Sequence, residues 1–137
     1  MRKINLLDCT LRDGGYYNNW DFPIDLIEDY LKSLSQSGVR FIELGFRSIN
    51  SNNYMGPCAH TKNSFIESLK IPKNLKIGVM INASEILSSK MSKKEFINFV
   101  IGNQNSQISF IRFACHFNEV EKVLTYINYL KNKKIKI

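Results

Sequence analysis

Residues Leu6 to Tyr17 read LLDCTLRDGGYY, and within them Asp8-Cys9-Thr10-Leu11-Arg12-Asp13-Gly14 sets a guanidinium beside a carboxylate where an apolar strand gives way to a glycine pair. At the end of a strand, an arginine and an aspartate side by side can hold an oxyanion and a divalent cation together. An exposed ion pair of this kind would contribute at most about 1 kcal/mol to folding. Packing therefore gives the pair little reason to exist, whereas chemistry gives it one.

Outward from this run, apolar stretches of strand composition recur at Ile4–Leu7, Phe41–Leu44, Ile77–Ile81 and Ile108–Ala114, and Ile135–Ile137 reads as the start of a fifth. Helical patterning lies between them. The first helix is predicted to start at Pro23 and stop before Gly38, with Ile24, Ile27, Leu31 and Leu34 turned to the sheet. Ser92-Lys93-Lys94-Glu95 is a capping-box pattern ahead of Phe96, Phe99 and Val100. The last helix is expected to open near Asn118 and bury Val120, Val123, Leu124, Ile127 and Leu130, with Lys131–Lys134 at its negative end. Ser48–Thr61 is aperiodic and rich in Asn and Ser, which predicts a loop. Strand and helix alternating at intervals of roughly thirty residues predict an α/β fold of parallel βα units in one domain, residues 1–137.

The run at Asp8–Gly14 resembles the signature of the metal-dependent lyases, aldolases and Claisen-condensing synthases built on a TIM barrel. That family includes hydroxymethylglutaryl-CoA lyase, the isopropylmalate and homocitrate synthases, and 4-hydroxy-2-oxovalerate aldolase. The resemblance implies that Arg12 steadies an enolate oxygen and that Asp13 ligates the metal, Mg²⁺ or Mn²⁺. Phe41-Ile42-Glu43-Leu44-Gly45-Phe46 is similar to the family's second strand, whose glutamate completes an Arg-Asp-Glu trio and places Glu43 at the substrate site. A carboxylate within such an apolar run is costly to bury without a cation, and Arg12 or a metal would supply one. Ile111-Arg112-Phe113-Ala114-Cys115-His116 is similar to the end of the fourth strand in the aldolase branch, which implies that Arg112 borders the substrate pocket and makes His116 a candidate catalytic residue. A histidine at a strand end serves equally well as a local hydrogen-bonding group. In one place the sequence departs from the aldolases, which carry a general-base histidine three residues after the metal-binding aspartate; here that position is Tyr16. A phenol, with an ordinary pKa of about 10, is a poor base at neutral pH. Tyr16 is therefore expected to act as an acid or to orient substrate, with water or His116 moving the proton.

A complete eight-fold barrel needs about 250 residues, whereas 137 residues hold four βα units and the start of a fifth. The expectation is half of a (β/α)8 barrel. The family's other metal ligands come from a His-x-His pair on the seventh strand, and the histidines here are His60 and His116. Asp13 would then be a lone protein ligand, and one carboxylate seldom makes a dedicated site, so a divalent metal is expected to be weakly bound or absent in this chain. An open half-barrel also leaves two strand edges and an apolar face to be covered. The chain is accordingly expected to be the N-terminal half of a longer enzyme, or to self-associate. The activity the resemblance implies is carbon–carbon bond cleavage or formation on a 2-oxo acid or acyl-CoA through a metal-stabilised enolate. The competing expectation is a non-catalytic half-barrel that works as an assembly or interaction module.

Composition narrows the setting rather than the chemistry. At 44% hydrophobic and 23% charged residues, the chain can form one moderate core. Cys9, Cys58 and Cys115 are odd in number and lack zinc spacing, which predicts a reducing compartment, with Cys9 as a small core residue. Met1-Arg2-Lys3 leads directly into the first strand and no apolar run reaches membrane-spanning length, so a cytoplasmic protein is expected. The net charge of +7 is unevenly placed: the first fifty residues hold six Lys or Arg against seven Asp or Glu, and the remainder hold thirteen against five. The basic excess is thus away from the motif. Lys131, Lys133, Lys134 and Lys136 form its densest cluster, and the helical spacing of Tyr126 and Tyr129 suits packing better than stacking on bases. No nucleic-acid or membrane partner is expected; the charge is read as a solvated surface or as an attractor of anionic substrates.

Overall fold

The computed structural model describes residues 4–50, 53–102, 107–131, 133 and 135–137. Among them, β1 (Leu7–Asp8), β2 (Phe41–Phe46), β3 (Lys76–Asn82) and β4 (Ile108–Ala114) form one sheet in the order β1-β2-β3-β4, with every neighbouring pair parallel. The helices are α1 (Thr10–Gly14), α2 (Ile24–Ser37), α3 (Pro57–His60), α4 (Asn63–Ser68), α5 (Ala83–Ser89), α6 (Lys93–Ile101) and α7 (Val120–Leu130). Parallel strands in sequential order, joined by helical crossovers, are the arrangement of half a (β/α)8 barrel. The expected fifth strand is present as a single parallel bridge between Lys136 and Phe110, where Ile111 N–H donates to the Lys136 carbonyl at 2.8 Å.

Local chemistry accounts for most element boundaries. Pro23 is the N-cap of α2 rather than its first residue, and Gly38, at φ 87°, ends the helix in the left-handed conformation that a side chain would resist. The expected capping box of α6 is formed: Ser92 N–H donates to Glu95 Oε2 at 2.9 Å, and Glu95 N–H donates to Ser92 Oγ at 3.3 Å. Two expectations fail for reasons of length. The Ser48–Thr61 stretch contains α3, a single turn opened by Pro57, too short for periodicity to announce. Strand β1 is only two residues long, and Ile4 and Leu6 lie exposed outside its ladder. The glycine pair lies in helical backbone: α1 runs through Gly14 into a 3-10 turn at Gly15–Tyr17. Gly15 is required by close approach, since a Cβ there would lie 1.9 Å from the Trp20 indole.

One face of the sheet packs on the helices. Ile42, Leu44, Val79, Ile81 and Ile111 join Ile27 and Leu31 of α2, Ile66 of α4, Phe96 and Val100 of α6 and Leu130 of α7 in a single core. The predicted stripes narrow to their centres: Ile24 of α2, and Val120 and Leu124 of α7, are exposed. Tyr126 and Tyr129 pack edge-on or tilted against Phe96, as ordinary core neighbours. The other face presents Phe41, Glu43, Gly78, Phe110 and Arg112. The open apolar surface expected of a half-barrel is partly covered, because Phe110 folds over Gly78 and against Phe41, and Met80 and Phe110 are each 7% exposed, whereas Leu7 on β1 stays exposed. A buried arginine, Arg47, ties α6 to the end of α3 and the start of α4, donating from Nε to the Phe99 carbonyl (2.8 Å), from Nη1 to the Thr61 carbonyl (2.8 Å) and from Nη2 to Asn63 Oδ1 (2.7 Å). Burial pushes its pKa down to about 10.

Gly45 lets α3 lie directly on β2: a Cβ there would sit 1.8 Å from the Cys58 carbonyl oxygen, a backbone atom that cannot swing aside. Gly45→Ala is expected to destabilise the fold by about 3 kcal/mol, the upper end of ordinary overpacking. Urea denaturation followed by circular dichroism measures this.

Candidate active site

The site grows from the carboxyl ends of the parallel strands, where loops from several strands converge in folds of this class. Asp8, the last residue of β1, accepts from Thr10 N–H (3.1 Å), Thr10 Oγ1 (3.0 Å) and Tyr30 Oη (2.9 Å). That network turns the chain into α1 and swings Arg12 over β2. Arg12 Nε meets Glu43 Oε1 at 2.5 Å; the approach is off the N–H direction, so the contact is ionic rather than a directed hydrogen bond. Its Nη1 pairs with Asp13 Oδ1 at 2.7 Å, and its guanidinium lies 5.8 Å from the Phe46 ring centroid. From β4, Arg112 Nη1 stands 3.5 Å from both Glu43 oxygens and from Cys9 Sγ.

Burial is graded across this cluster. The side chain of Glu43 is 0% exposed, Arg12 15%, Arg112 44% and Asp13 61%. A buried carboxylate thus lies beneath two guanidiniums, and the outer one reaches water. Burial works against the charge on Arg12, but the Cys9 thiol and Glu43 outweigh it and hold the guanidinium above its ordinary pKa. Burial also raises the Cys9 thiol, although both arginines pull the other way. Cys9 is therefore not the buried core residue expected from sequence; it is half-buried, with its sulfur at the site.

The structure brings Arg12, Asp13, Glu43 and Arg112 together. Tyr16 lies beside them, exposed, its ring edge-on to Trp20 at 4.8 Å and to Phe46 at 6.3 Å. His116 follows β4 and is exposed, with its backbone N–H donating to Glu119 Oε2 at 2.8 Å; among the described residues no contact joins it to the arginine cluster. Sequence reasoning missed Trp20, whose Nε1 donates to the Arg12 carbonyl at 2.8 Å and so pins the backbone of α1. It also missed Ser48 beyond β2, Asn82 at the end of β3 and Glu85 in the first turn of α5. Their signal was position alone, since each lies at or just past the carboxyl end of an apolar strand, where sites form.

Among the described residues, no three His, Cys, Asp or Glu side chains gather closely enough to hold a metal ion. Asp13, the ligand implied by the family resemblance, is one exposed carboxylate already paired with Arg12. The residues present do not by themselves make a divalent-metal site. The described residues also contain no helix long and apolar enough to cross a membrane.

No protein-family model matches the chain. The chain is 22% identical over 134 residues to the oxaloacetate decarboxylase of Mycobacterium tuberculosis (strain ATCC 25618 / H37Rv), covering 96% of this chain and 37% of that protein. A solved structure, "the N-terminal domain of a putative aldolase" from Bacteroides vulgatus, superposes with a TM-score of 0.82 at 26% identity, over 96% of this chain and 42% of the other. Both relatives are of the lyase and aldolase type, and the chain spans well under half the length of each.

Removing the charge of Glu43 leaves two guanidiniums facing each other over a buried amide. Glu43→Gln is expected to cost about 3 kcal/mol, the lower end for breaking a buried pair because Arg112 stays hydrated. Arg112→Ala, which removes a water-screened partner, is expected to cost under about 1 kcal/mol. Equilibrium urea denaturation of the two variants measures the contrast.

Proposed function

We propose that this chain is the N-terminal, arginine-bearing half of a lyase or aldolase that breaks or forms a carbon–carbon bond next to the carbonyl of a 2-oxo acid through an enolate, in the manner of the hydroxymethylglutaryl-CoA lyase family. The observation that carries this reading is Arg12, held by Glu43 and Asp13 at the carboxyl ends of the parallel strands. Oxaloacetate loses carbon dioxide to leave an enolate, and an aldol cleavage next to a 2-oxo group leaves one too. The names of the two relatives thus converge on one requirement: positive charge fixed where negative charge develops on oxygen.

Arg12 meets that requirement with little reorganisation, because Glu43 and the Trp20 bond to its carbonyl fix both the side chain and the backbone. Arg112, half in water at the mouth, is suited to receive the substrate carboxylate as a charge-assisted pair. The Tyr16 hydroxyl, which has no hydrogen-bond partner among the described residues, is free to orient substrate or donate a proton. His116 would have to act through water, since no contact draws it toward Arg12. A bound Mg²⁺ or Mn²⁺ would supply Lewis-acid polarisation of the 2-oxo group, with Asp13 as one ligand and the other donors drawn from outside these residues. Composition favours a cytoplasmic setting.

Arg12→Ala in the complete enzyme is expected to lower kcat/KM for pyruvate release from oxaloacetate or a 4-hydroxy-2-oxo acid by about a hundred-fold or more, the scale of losing one oxyanion donor. Near-normal turnover would remove Arg12 from the mechanism. Sequencing the source transcript past the codon for Ile137 tests the longer-enzyme reading. A His-x-His pair after two further strand–helix units is expected; a stop codon there would favour an assembly module instead.

A further inference from the structure

Beside Arg12 lies a pocket of about 170 Å³ that enolate stabilisation does not use. Part of its lining is aromatic: Tyr16, Trp20 and Phe46, mutually edge-on, with Trp20 and Phe46 centroids 5.6 Å apart. The rest of the lining that matters here is polar: Ser48 beyond β2, Asn82 at the end of β3 and Glu85 in the first turn of α5. Phe46 links the two regions, because its ring packs against the Arg12 guanidinium and also lines the pocket. A molecule anchored at Arg12 therefore has its tail within reach of both linings.

The polar groups are half used. Glu85 Oε2 accepts from Ser48 Oγ at 2.8 Å and from Ile49 N–H at 3.0 Å, and Asn82 Oδ1 accepts from Ser84 N–H at 3.1 Å. Among the described residues, Glu85 Oε1 and the Asn82 amide nitrogen have no partner, and no cation pairs with Glu85. One acceptor and one donor remain for a ligand. A hydroxyl both donates and accepts, so it suits both groups, and the C–H faces of a polyol pack well on aromatic rings. A carboxylate or phosphate tail would face the charge of Glu85. An alkyl tail would leave both polar groups unpaired. An ammonium would suit Glu85 and the rings but would set the Asn82 donor against a group with nothing to accept. A pocket of this volume has room for a short tail such as a three-carbon fragment with its hydroxyls.

We infer that this pocket is the subsite for a short hydroxylated tail on the substrate, an inference that rests on the proposed role of Arg12 as anchor of the 2-oxo acid head. Trp20 is the single tryptophan and lines the pocket, so its fluorescence reports occupancy without any turnover. The full chain is titrated with four 2-oxo acids that share a six-carbon backbone and differ in tail: 2-oxo-3-deoxygluconate, 2-oxohexanoate, 2-oxoadipate and 6-trimethylammonio-2-oxohexanoate. The hydroxylated acid is expected to bind about tenfold tighter than 2-oxohexanoate, the worth of one net hydrogen bond, with 2-oxoadipate weakest. Glu85→Ala is expected to erase that preference, and the milder Glu85→Gln to strengthen 2-oxoadipate binding. Arg12→Ala is expected to weaken all four ligands alike. Equal affinity for the four, with Arg12→Ala still weakening each, overturns the subsite but leaves the reading of Arg12. A polyol lacking the 2-oxo acid head that binds as tightly as the acid leaves the subsite and overturns the reading of Arg12. Tightest binding of the trimethylammonio acid, or no Trp20 response to any ligand, overturns the subsite.

Discussion

A carboxylate with no access to water, on the strand next to the motif, is the constraint on which the rest of the site depends. Glu43 sits inside β2, fully buried, where an unpaired charge would cost several kcal/mol. Two guanidiniums from different parts of the chain offset that cost: Arg12 from the turn after β1 and Arg112 from β4. The dependence runs both ways. Glu43 needs the arginines, and Arg12 cannot leave the strand ends without stranding Glu43. The Trp20 indole holds the Arg12 carbonyl, and Gly15 is glycine because that indole occupies the place of a side chain. An ion pair that looks from sequence like a surface contact is thus one layer of a stacked, partly dry arrangement.

Dryness gives the site its direction. Effective dielectric falls from the hydrated Arg112 toward Glu43, so charge on a bound oxygen near Arg12 would be felt more strongly than in water. The pocket beside Phe46 has the opposite polarity, with Glu85 as its charged group. A substrate crossing from one to the other would be anionic at its head and uncharged at its tail. The +7 net charge lies mostly away from this cleft, and within it Arg12 and Arg112 supply the attraction.

The fold was largely legible because its signals are local and periodic. Four apolar runs became the four parallel strands, the Ser92 capping box formed, and Gly38 ended α2. The misses share a cause. One turn of helix at Pro57–His60 is too short to show a period, β1 keeps only the two residues that pair with β2, and the stripe ends at Ile24, Val120 and Leu124 face solvent because a sequence pattern marks which positions are apolar but not where the neighbouring element stops. The inner face was expected to stand open, and Phe110 covers part of it by folding over Gly78, a contact between residues far apart in sequence.

By itself the sequence determined the order of strands and helices, the α/β class, and the identity of the charged residues at the strand ends, because each depends on neighbours within a few positions. Tertiary structure alone decided which of those charges meet. It placed Arg112 and Arg12 on the same carboxylate and left His116 apart from them. It also showed Asp8 to be the turn-builder of the motif, moved Cys9 from core to site, and assembled a pocket from Trp20, Ser48, Asn82 and Glu85. Electrostatic and hydrogen-bonding partnerships are set by distance in space, and parallel strands joined by long crossovers bring together residues that the chain keeps thirty to a hundred positions apart.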